Sequence, residues 1–318
     1  MNVLILGPEH DPQELKGLLA SDFPGLTFLA VDDEAEAGDF IEKADILVAL
    51  RFSDSLLSRA RNLKWIQSTI TGTDYIENLP SFKDRKDVIL TSSRGIHGPQ
   101  MSELAIMLMI AMNRQFSRLV RNQDRRVWEP RPAPILPGKT AGILGVGAIG
   151  EAVAKKCKAF EMTVLGVDPF PRAVDAVDAF YGLDALHEVM SEADYFISVA
   201  PSKPDNQNIF DARAFSRMKP TAFFINMGRG ELVDEGALIR VLKDRKIAGA
   251  ALDTFRQEPL PPEHPFWGLD NLIITPHIGG RSDIYVQQAA GIIRKNLAHF
   301  LKGETGEMVN IVPRGQDG

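Results

Sequence analysis

The stretch that decides the fold is Ile143–Gly150, ILGVGAIG, in which Gly145, Gly147 and Gly150 are spaced as G-x-G-x-x-G. This spacing is weak by itself, because glycine-bearing loops match it by chance. Here an apolar run precedes it and a helical pattern, EAVAKKCKAF, follows it. The first glycine permits a tight turn, the second admits a pyrophosphate against the backbone, and the third packs helix on strand. The stretch therefore predicts a dinucleotide-binding βα unit.

The next strand candidate, MTVLGVDP, ends in Asp168. A carboxylate at this position can accept hydrogen bonds from the adenosine ribose hydroxyls, and it repels a 2′-phosphate. We therefore predict NAD as the cofactor. NADP remains an alternative because Arg172 lies close in the sequence, and a turn residue before Pro169 remains the alternative interpretation of Asp168.

Short apolar runs alternate with helical patterns on both sides of the glycine motif. Upstream they are NVLILG, ADILVAL, LKWIQS and DVILTS, and downstream YFISVA, AFFINMG, GAALDTF and NLIITPH. Such alternation predicts βαβ units and parallel sheets. Between the two series we predict one long helix from near Pro99 through MSELAIMLMIAMNRQFSRLVRN, then a proline-rich connector, WEPRPAPILPGK. A helix at SDIYVQQAAGIIRKNLAHFLKG and an extended tail at EMVNIVPRG close the chain.

The predicted fold class is α/β, with two Rossmann-like or flavodoxin-like domains that each contain a parallel sheet. We expect the nucleotide-binding domain to be inserted into the substrate domain. Residues 1–98 and 282–318 would form the substrate (catalytic) domain, and residues 99–281 the NAD-binding domain. A chain of 318 residues is long enough for two separate cores.

Composition excludes several other classes of protein. The formal net charge of −6 argues against a nucleic-acid or anionic-membrane partner. Cys157 is the one cysteine, so no internal disulfide can form and a reducing compartment is favoured. No apolar run approaches the roughly 20 residues that a bilayer requires, and the start MNVLILGPEHDP is typical of a strand and not of a signal peptide. We expect a cytoplasmic protein with no metal site.

Polar residues follow three of the downstream strand candidates. Arg229 lies in INMGRGELVDE, Asp253 and Glu258 lie in LDTFRQEPLP, and His277 lies in TPHIGG. Ligands of open α/β sheets bind at the carboxyl ends of the strands, and glycines after the histidine would let backbone approach a ligand. Taken alone, His277 could equally be a turn histidine bonded to a nearby carbonyl.

In number and order these elements resemble the D-isomer-specific 2-hydroxyacid dehydrogenases, a family that includes glycerate, glyoxylate/hydroxypyruvate, D-lactate and phosphoglycerate dehydrogenases. The resemblance covers nearly the whole chain and is densest from Gly142 to Gly280. It implies reversible reduction of a 2-keto acid to a D-2-hydroxy acid by hydride transfer from NADH. It also implies a homodimer, with MSELAIMLMIAMNR as the expected interface, although the sequence accepts core burial of that segment equally well.

The resemblance implies three catalytic residues. Arg229 would hold the substrate carboxylate through its planar donor fork and polarise the carbonyl. His277 would donate the proton in reduction and accept it in oxidation. Glu258 would pair with His277, orient its ring and favour the imidazolium form.

The same resemblance implies the binding residues. The cofactor contacts would be Gly145, Gly147, Ala148, Ile149, Gly150, Asp168, Asn206, Met227, Gly228, Arg229, Asp253, His277, Gly279 and Gly280. Among them, Asp253 would contact the nicotinamide carboxamide, the Met227 backbone would help to seat the ring, and Asn206 would replace a threonine near the pyrophosphate. Thr71 and Gly72 in STITGTDYI would bind the substrate together with Arg229 and His277. The chain departs from many members at Ile70, where the family has a small residue.

Two other functions compete with the dehydrogenase. One is an NAD(H)-sensing, corepressor-like binding protein of the same fold, which would turn over little substrate. The other, a formate dehydrogenase, fits poorly because that branch has glutamine where this chain has Glu258. The group that the substrate carries beside its keto acid cannot be deduced. The residues that could shape its pocket, each more simply explained as structural, are Arg51, Trp65, His97, Phe266 and Trp267.

Overall fold

A computed structural model describes residues 1–7 and 11–313, and the chain divides into two compact units. The first unit contains Met1–Ile96 and the chain from Ser282 onward, and the second contains His97–Arg281. The first dividing point lies two residues before the predicted boundary after residue 98. The last residues of the predicted tail, Arg314 and Gly315, lie outside the described residues.

Both units are built from parallel strands and helices in alternation, as the fold class predicted. The strands of the described ranges are β1 (Asn2–Leu6), β2 (Thr27–Val31), β3 (Ile46–Ala49), β4 (Trp65–Ser68), β5 (Ile89–Thr91), β6 (Thr140–Leu144), β7 (Thr163–Val167), β8 (Ala179–Tyr181), β9 (Tyr195–Ser198), β10 (Phe223–Asn226), β11 (Gly249–Leu252) and β12 (Leu272–Ile274). The α-helices of the same ranges are α1 (Pro12–Asp22), α2 (Phe40–Lys43), α3 (Asp54–Arg59), α4 (Asp74–Glu77), α5 (Pro80–Lys83), α6 (Gly98–Asn113), α7 (Phe116–Asp124), α8 (Ala148–Ala159), α9 (Leu186–Glu192), α10 (Ala212–Phe215), α11 (Glu235–Lys243) and α12 (Tyr285–Lys302).

The first unit has a five-stranded parallel sheet in the order β2-β1-β3-β4-β5. All of its strands except β2 were predicted from the sequence. This edge strand buries only its last two residues, so it lacks the continuous buried run of a central strand. Helix α12 completes the unit, because Ile293 and Leu297 pack into the same core as Val3 and Ile5.

The second unit has a seven-stranded parallel sheet in the order β12-β11-β10-β9-β6-β7-β8. The first strand of this sheet along the chain is β6. The next two, β7 and β8, lie on one side of β6, and β9 lies on its other side. This reversal creates a crevice at the carboxyl ends of β6 and β9, where open α/β sheets bind their ligands. The three-residue edge strand β8 is only half-buried, and its short run gave no signal in the sequence.

The long helix expected from Pro99 is two helices in the structure. Gln115 adopts a left-handed conformation, with φ of 50°, between α6 and α7, and this interrupts the helical hydrogen bonds. Helix α6 is apolar nearly all round because most of it is buried in the second unit's own core. Helix α7 has no buried residue, and the connector that follows contains neither helix nor strand up to Thr140.

The glycines of the 145–150 turn have different local surroundings. Gly145 has φ of 92°, a conformation that disfavours any side chain. A Cβ on Gly150 would lie 2.2 Å from the Gly145 carbonyl oxygen, whereas a Cβ on Gly147 would meet nothing within 4 Å. Two of the glycines therefore shape the turn itself, and the middle one leaves space beside it.

Cys157 lies on the buried side of α8. Its side chain is fully buried, and this burial raises the pKa of the thiol to about 12. The thiol therefore stays protonated at neutral pH and packs as a small apolar group, without the reactivity of a thiolate.

We predict that Gly150→Ala destabilises the protein without cofactor, because the backbone of the turn must move to admit the methyl group. We expect a loss of about 1–3 kcal/mol in the free energy of unfolding, measured with denaturant. The control is Gly147→Ala, where the space is open and φ is −87°, so the loss should stay below about 1 kcal/mol. Equal losses in the two variants would contradict this account of the turn.

Candidate active site

The candidate catalytic residues lie in the loops after three neighbouring strands. Arg229 follows β10, Glu258 follows β11 and His277 follows β12. These strands are adjacent and parallel, with Asn226 opposite Leu252 and Leu252 opposite Ile274. The three loops therefore leave the same edge of the sheet side by side.

The structure brings His277 and Glu258 together. His277 Nδ1 lies 2.7 Å from Glu258 Oε2, and the other carboxylate oxygen accepts a hydrogen bond from the backbone N–H of Phe255 at 2.9 Å. Both side chains are partly open to solvent, 44% for the histidine and 30% for the glutamate. With Nδ1 on the carboxylate, Nε2 is the ring nitrogen that can exchange a proton with a substrate.

Asp253 anchors the loop that carries His277. Its carboxylate is buried, and Oδ1 accepts hydrogen bonds from the Thr275 hydroxyl at 2.6 Å and from the Ile278 N–H at 3.0 Å. Oδ2 accepts from the Gly279 N–H at 2.9 Å. The carboxylate thus fixes the backbone on both sides of His277, which has the uncommon φ of 51°. The sequence predicted that Asp253 contacts the nicotinamide carboxamide. Its role as an anchor of the loop was not predicted.

Asn226 does the same for the turn that carries Arg229. Its fully buried side chain donates to the Arg229 carbonyl at 2.9 Å and to the Thr254 hydroxyl at 3.2 Å, and it accepts from the Gly228 N–H at 3.2 Å. Arg229 Nη1 donates to the Gly228 carbonyl at 2.9 Å. The neighbouring Met227 is buried and continues the ladder of β10.

Three buried polar residues, Asn226, Thr254 and Thr275, were not predicted as site residues. The available signal was their position, because each ends an apolar strand run or lies within two residues after it. A buried polar group in such a position needs hydrogen-bond partners, and the nearest ones are the backbone amides of the following loop. These residues hold the loops without facing the solvent.

Glycines bring the loops into close contact. A Cβ on Gly230 would lie 2.0 Å from the Phe255 carbonyl carbon, so the loops after β10 and β11 touch backbone to backbone. A Cβ on Gly279 would lie 2.7 Å from Met101 Sδ, and one on Gly280 would lie 3.0 Å from the His97 ring. Packing within the second unit alone therefore disfavours a side chain at Gly279, whereas at Gly280 the His97 ring would have to shift slightly to admit one.

The other end of the crevice carries Asp168. Its carboxylate accepts hydrogen bonds from the N–H groups of Val146, at 3.0 Å, and Phe170, at 3.1 Å. Arg172 does not fold over this carboxylate. It forms an ion pair with Glu151 and donates to the Val146 carbonyl at 3.2 Å.

Two further candidate contacts are positioned by local structure. Ala148 and Ile149 form the start of α8, whose free N–H groups can bind a phosphate. Asn206, by contrast, closes its own loop: its amide donates to the Pro201 carbonyl at 2.9 Å and accepts from the Lys203 N–H at 2.7 Å. The predicted bond from Asn206 to a pyrophosphate would have to compete with these two contacts.

The first unit carries the remaining candidates. Thr71 and Gly72 are half-buried in the loop after β4, near the Thr69 carbonyl that accepts a hydrogen bond from the Tyr285 hydroxyl. Trp65 is fully buried and donates to the Thr91 hydroxyl at 2.7 Å, so it belongs to the core and not to a pocket wall. In the second unit, Phe266 and His97 are also buried, while Trp267 is 55% exposed.

The described residues contain no group of three or more His, Cys, Asp or Glu side chains placed to hold a metal ion. Nor does any helix among them combine the length and apolar character needed to cross a membrane.

Three features occur together at the carboxyl edge of this parallel sheet: a glycine turn at the switch point, an acidic residue after the next strand, and a histidine–carboxylate pair. Together they define the class of protein, a nucleotide-dependent oxidoreductase. The model of the D-isomer-specific 2-hydroxyacid dehydrogenase NAD-binding domain matches residues 106–279, more than half of the chain. The chain belongs to this family, which binds 2-keto and 2-hydroxy acids and uses NAD or NADP.

Known members resemble the chain along most of its length. The D-3-phosphoglycerate dehydrogenase of Methanocaldococcus jannaschii is 32% identical over 279 residues, which are 86% of this chain but only 53% of that protein. The chain thus spans about half the length of that relative. A D-isomer-specific 2-hydroxyacid dehydrogenase family protein from Aeromonas salmonicida is 35% identical, with a TM-score of 0.89 over 98% of each chain. An NADPH-dependent glyoxylate/hydroxypyruvate reductase from Sinorhizobium meliloti, solved with NADP and sulfate, is 28% identical, with a TM-score of 0.85 over 98% of each chain.

We predict that Asp253→Ala destabilises the protein by about 2–4 kcal/mol, because one buried N–H group, one part-buried N–H group and one buried hydroxyl lose their acceptor. Denaturant unfolding measures the change. The control is Asp270→Ala, which removes an exposed carboxylate paired with Arg245 and should cost less than about 1 kcal/mol. If the two losses are similar, Asp253 does not anchor the loop.

Proposed function

We propose that the protein reversibly reduces a small 2-keto acid to the D-2-hydroxy acid, with NADH as the hydride donor. The observation that carries this proposal is the His277–Glu258 pair, held at 2.7 Å beside the loop of Arg229 in a chain of the dehydrogenase family. Reduction of a keto acid requires a proton donor and a holder for the carboxylate, and these residues supply both.

His277 and Arg229 have different roles, since the first transfers a proton and the second binds the substrate carboxylate. The nicotinamide, when bound, supplies the hydride to the carbonyl carbon. His277 gives a proton from Nε2 to the carbonyl oxygen while Glu258 holds Nδ1 and stabilises the cationic ring. Arg229 binds the substrate carboxylate with two parallel N–H groups, which also fixes the orientation of the carbonyl. In the oxidative direction, His277 accepts the proton of the hydroxyl group.

The crevice at β6 and β9 fits a dinucleotide. The space beside Gly147 lets the pyrophosphate reach the backbone, and the start of α8 adds its N–H groups. Asp168 would bind the adenosine ribose, since each of its oxygens accepts one backbone N–H and has a further lone pair. At the nicotinamide end we assign the backbone of Met227 and Gly228, with Asp253, Gly279 and Gly280 forming the floor.

The substrate is proposed to be a short 2-keto acid of the glyoxylate or hydroxypyruvate type. The support is the reductase from Sinorhizobium meliloti, which acts on these acids and aligns with 98% of this chain. Thr71 and Gly72 are retained as proposed substrate-binding residues on the resemblance alone.

We also propose a homodimer and a cytoplasmic location. The expected interface segment, MSELAIMLMIAMNR, leaves Met107 (46%) and Ile110 (38%) exposed on α6, and the proposed contact also includes α7 and the connector after it. There Phe116, Leu119 and Val120 expose an apolar face, and Trp128 is 95% exposed. Monomers rarely expose large apolar patches, and sedimentation velocity reports the oligomeric state directly.

The proposed cytoplasmic location is supported by the single cysteine, Cys157, and by the need for a nicotinamide pool.

The experiment that tests the function follows NADH absorbance with glyoxylate, hydroxypyruvate, and larger aliphatic and aromatic 2-keto acids. We expect turnover with at least one acid, and His277→Ala should lower kcat by about 10²–10⁴ with little change in NADH affinity. The control is His299→Ala, which breaks another histidine–glutamate pair on α12 and should leave kcat unchanged.

Near-normal turnover in His277→Ala would remove this residue from the mechanism. If the unmutated protein binds NADH tightly but reduces none of the acids, the NAD(H)-sensing function is favoured instead.

A second prediction concerns the choice of cofactor. Asp168 would place a negative charge against the 2′-phosphate of NADPH, and Arg172 is already paired with Glu151. We expect kcat/KM with NADH to exceed that with NADPH by at least about tenfold, which corresponds to about 1.4 kcal/mol. Asp168→Ala should erode this preference mainly by weakening NADH binding. A clear preference of the unmutated protein for NADPH would show that Arg172 outweighs the carboxylate.

A further inference from the structure

Arg256 contacts the loops after three neighbouring strands of the second unit. Its own loop follows β11. Its Nε donates to the Val233 carbonyl at 2.9 Å and its Nη2 to the Glu231 carbonyl at 2.9 Å, both in the loop after β10. Nη2 also donates to the Asn208 side chain, in the loop after β9. One guanidinium therefore ties three loops that leave the same edge of the sheet.

Three of these points, Asn208, Glu231 and Arg256 itself, each lie two residues from a candidate site residue, and Val233 lies four residues from one. Asn208 is close in sequence to Asn206, Glu231 is close to Arg229, and Arg256 itself is close to Glu258. The loops after β10 and β11 also touch at Gly230, with no room for a Cβ. A displacement at Arg256 is therefore transmitted directly to the backbone that carries the proposed carboxylate clamp and the histidine partner.

We propose that Arg256 is a positioning residue that sets the placement of Arg229 relative to the Glu258–His277 pair. The proposal rests on the proposed function for the roles of those three residues. The guanidinium suits this task because its donors lie in a rigid plane, so that carbonyl oxygens of one loop and an amide oxygen of another are held at a fixed spacing. An ammonium group has the charge but not this fixed geometry.

The loop after β11 remains attached when the Arg256 side chain is removed. Glu235, at the start of α11, accepts from the backbone N–H of Arg256 at 3.2 Å, and its other oxygen lies 3.5 Å from His264 Nε2. His264 Nδ1 in turn accepts from the Phe266 N–H at 3.3 Å. These contacts do not use the guanidinium, so we expect variants of Arg256 to fold with the loop displaced and not unfolded.

The test compares Arg256→Ala and Arg256→Lys with the unmutated protein. We expect kcat for keto-acid reduction to fall about tenfold in Arg256→Ala and about threefold in Arg256→Lys, because misplacement of catalytic groups by 1 Å can cost up to about 10²-fold. The keto-acid KM should rise, since the Arg229 loop moves as well. The dissociation constant of NADH, measured by fluorescence, should rise by at most about threefold, because the Met227–Gly228 backbone at the nicotinamide end shifts while Asp168 and the start of α8 are untouched.

The pH dependence separates positioning from a simple charge effect. If Glu258 is displaced, it stabilises the protonated form of His277 less, and we expect the alkaline limb of kcat/KM for keto-acid reduction to move to lower pH. Removal of a positive charge near His277 would, by itself, move the limb to higher pH. Arg256→Lys keeps the charge and should still move it to lower pH, by less than Arg256→Ala does.

A readout without turnover keeps this proposal distinct from the proposed function. The His277 ring signal, assigned in NMR spectra by its loss in His277→Ala, should titrate at lower pH in both Arg256 variants. If no keto acid is reduced by the unmutated protein, the proposed function fails while this titration still tests the positioning. In one outcome, both variants show the His277 titration of the unmutated protein, their kcat and KM stay within twofold of its values, and only the melting temperature falls. Arg256 is then a stabilising residue and the proposal is overturned.

The matched control is Arg245→Lys. Arg245 Nη2 contacts both carboxylate oxygens of Asp270, at 2.6 and 2.8 Å, and it precedes β11 in the chain and so lies away from the loops at the carboxyl edge. This variant also replaces a bonded guanidinium by an ammonium. It should leave kcat, KM and the His277 titration unchanged, and equal effects in the two lysine variants would contradict a role specific to Arg256.

Discussion

In a parallel sheet every strand ends at the same edge, and the chemistry of the second unit depends on that constraint. Strands β9 to β12 lie next to one another, so residues far apart in sequence, such as Arg229, Glu258 and His277, leave the sheet in a row of neighbouring loops. Parallel register brings the loops together, but it does not fix the side chains within them. Polar side chains at the strand ends fix the loops, because they form hydrogen bonds with the loop backbones.

The two buried polar side chains that do most of this, Asn226 and Asp253, work by the same physical means. Each is nearly or fully inaccessible to water, and each accepts from backbone N–H groups of the loop that follows its own strand or the neighbouring strand. A buried acceptor without a donor costs free energy, so these contacts restrict the loops to one arrangement. The candidate catalytic side chains stay partly exposed while the side chains that support them are buried, which combines a fixed position with access from solvent.

Much of this arrangement could be predicted from the sequence. Long apolar runs revealed the central strands, and the glycine spacing revealed the βα turn, because both are local patterns with a direct physical cause. The edge strands β2 and β8 were not predicted because they are short or half-exposed. The break between α6 and α7 at Gln115 was not predicted because a left-handed glutamine leaves no local signal in the sequence. Contacts such as Arg256 with Asn208 join residues 48 apart, and no local pattern encodes them.

The split of the first unit between the two ends of the chain bears on how the protein is synthesised. Strands β1 to β5 leave the ribosome first, but the helix that covers Val3 and Ile5, α12, is made only after all of the second unit. The second unit is one continuous segment and can fold while α12 is still being translated. Until α12 is made, Ile293 and Leu297 are missing from the core that contains Val3 and Ile5, and transiently exposed apolar surface of this kind makes a folding intermediate prone to aggregation.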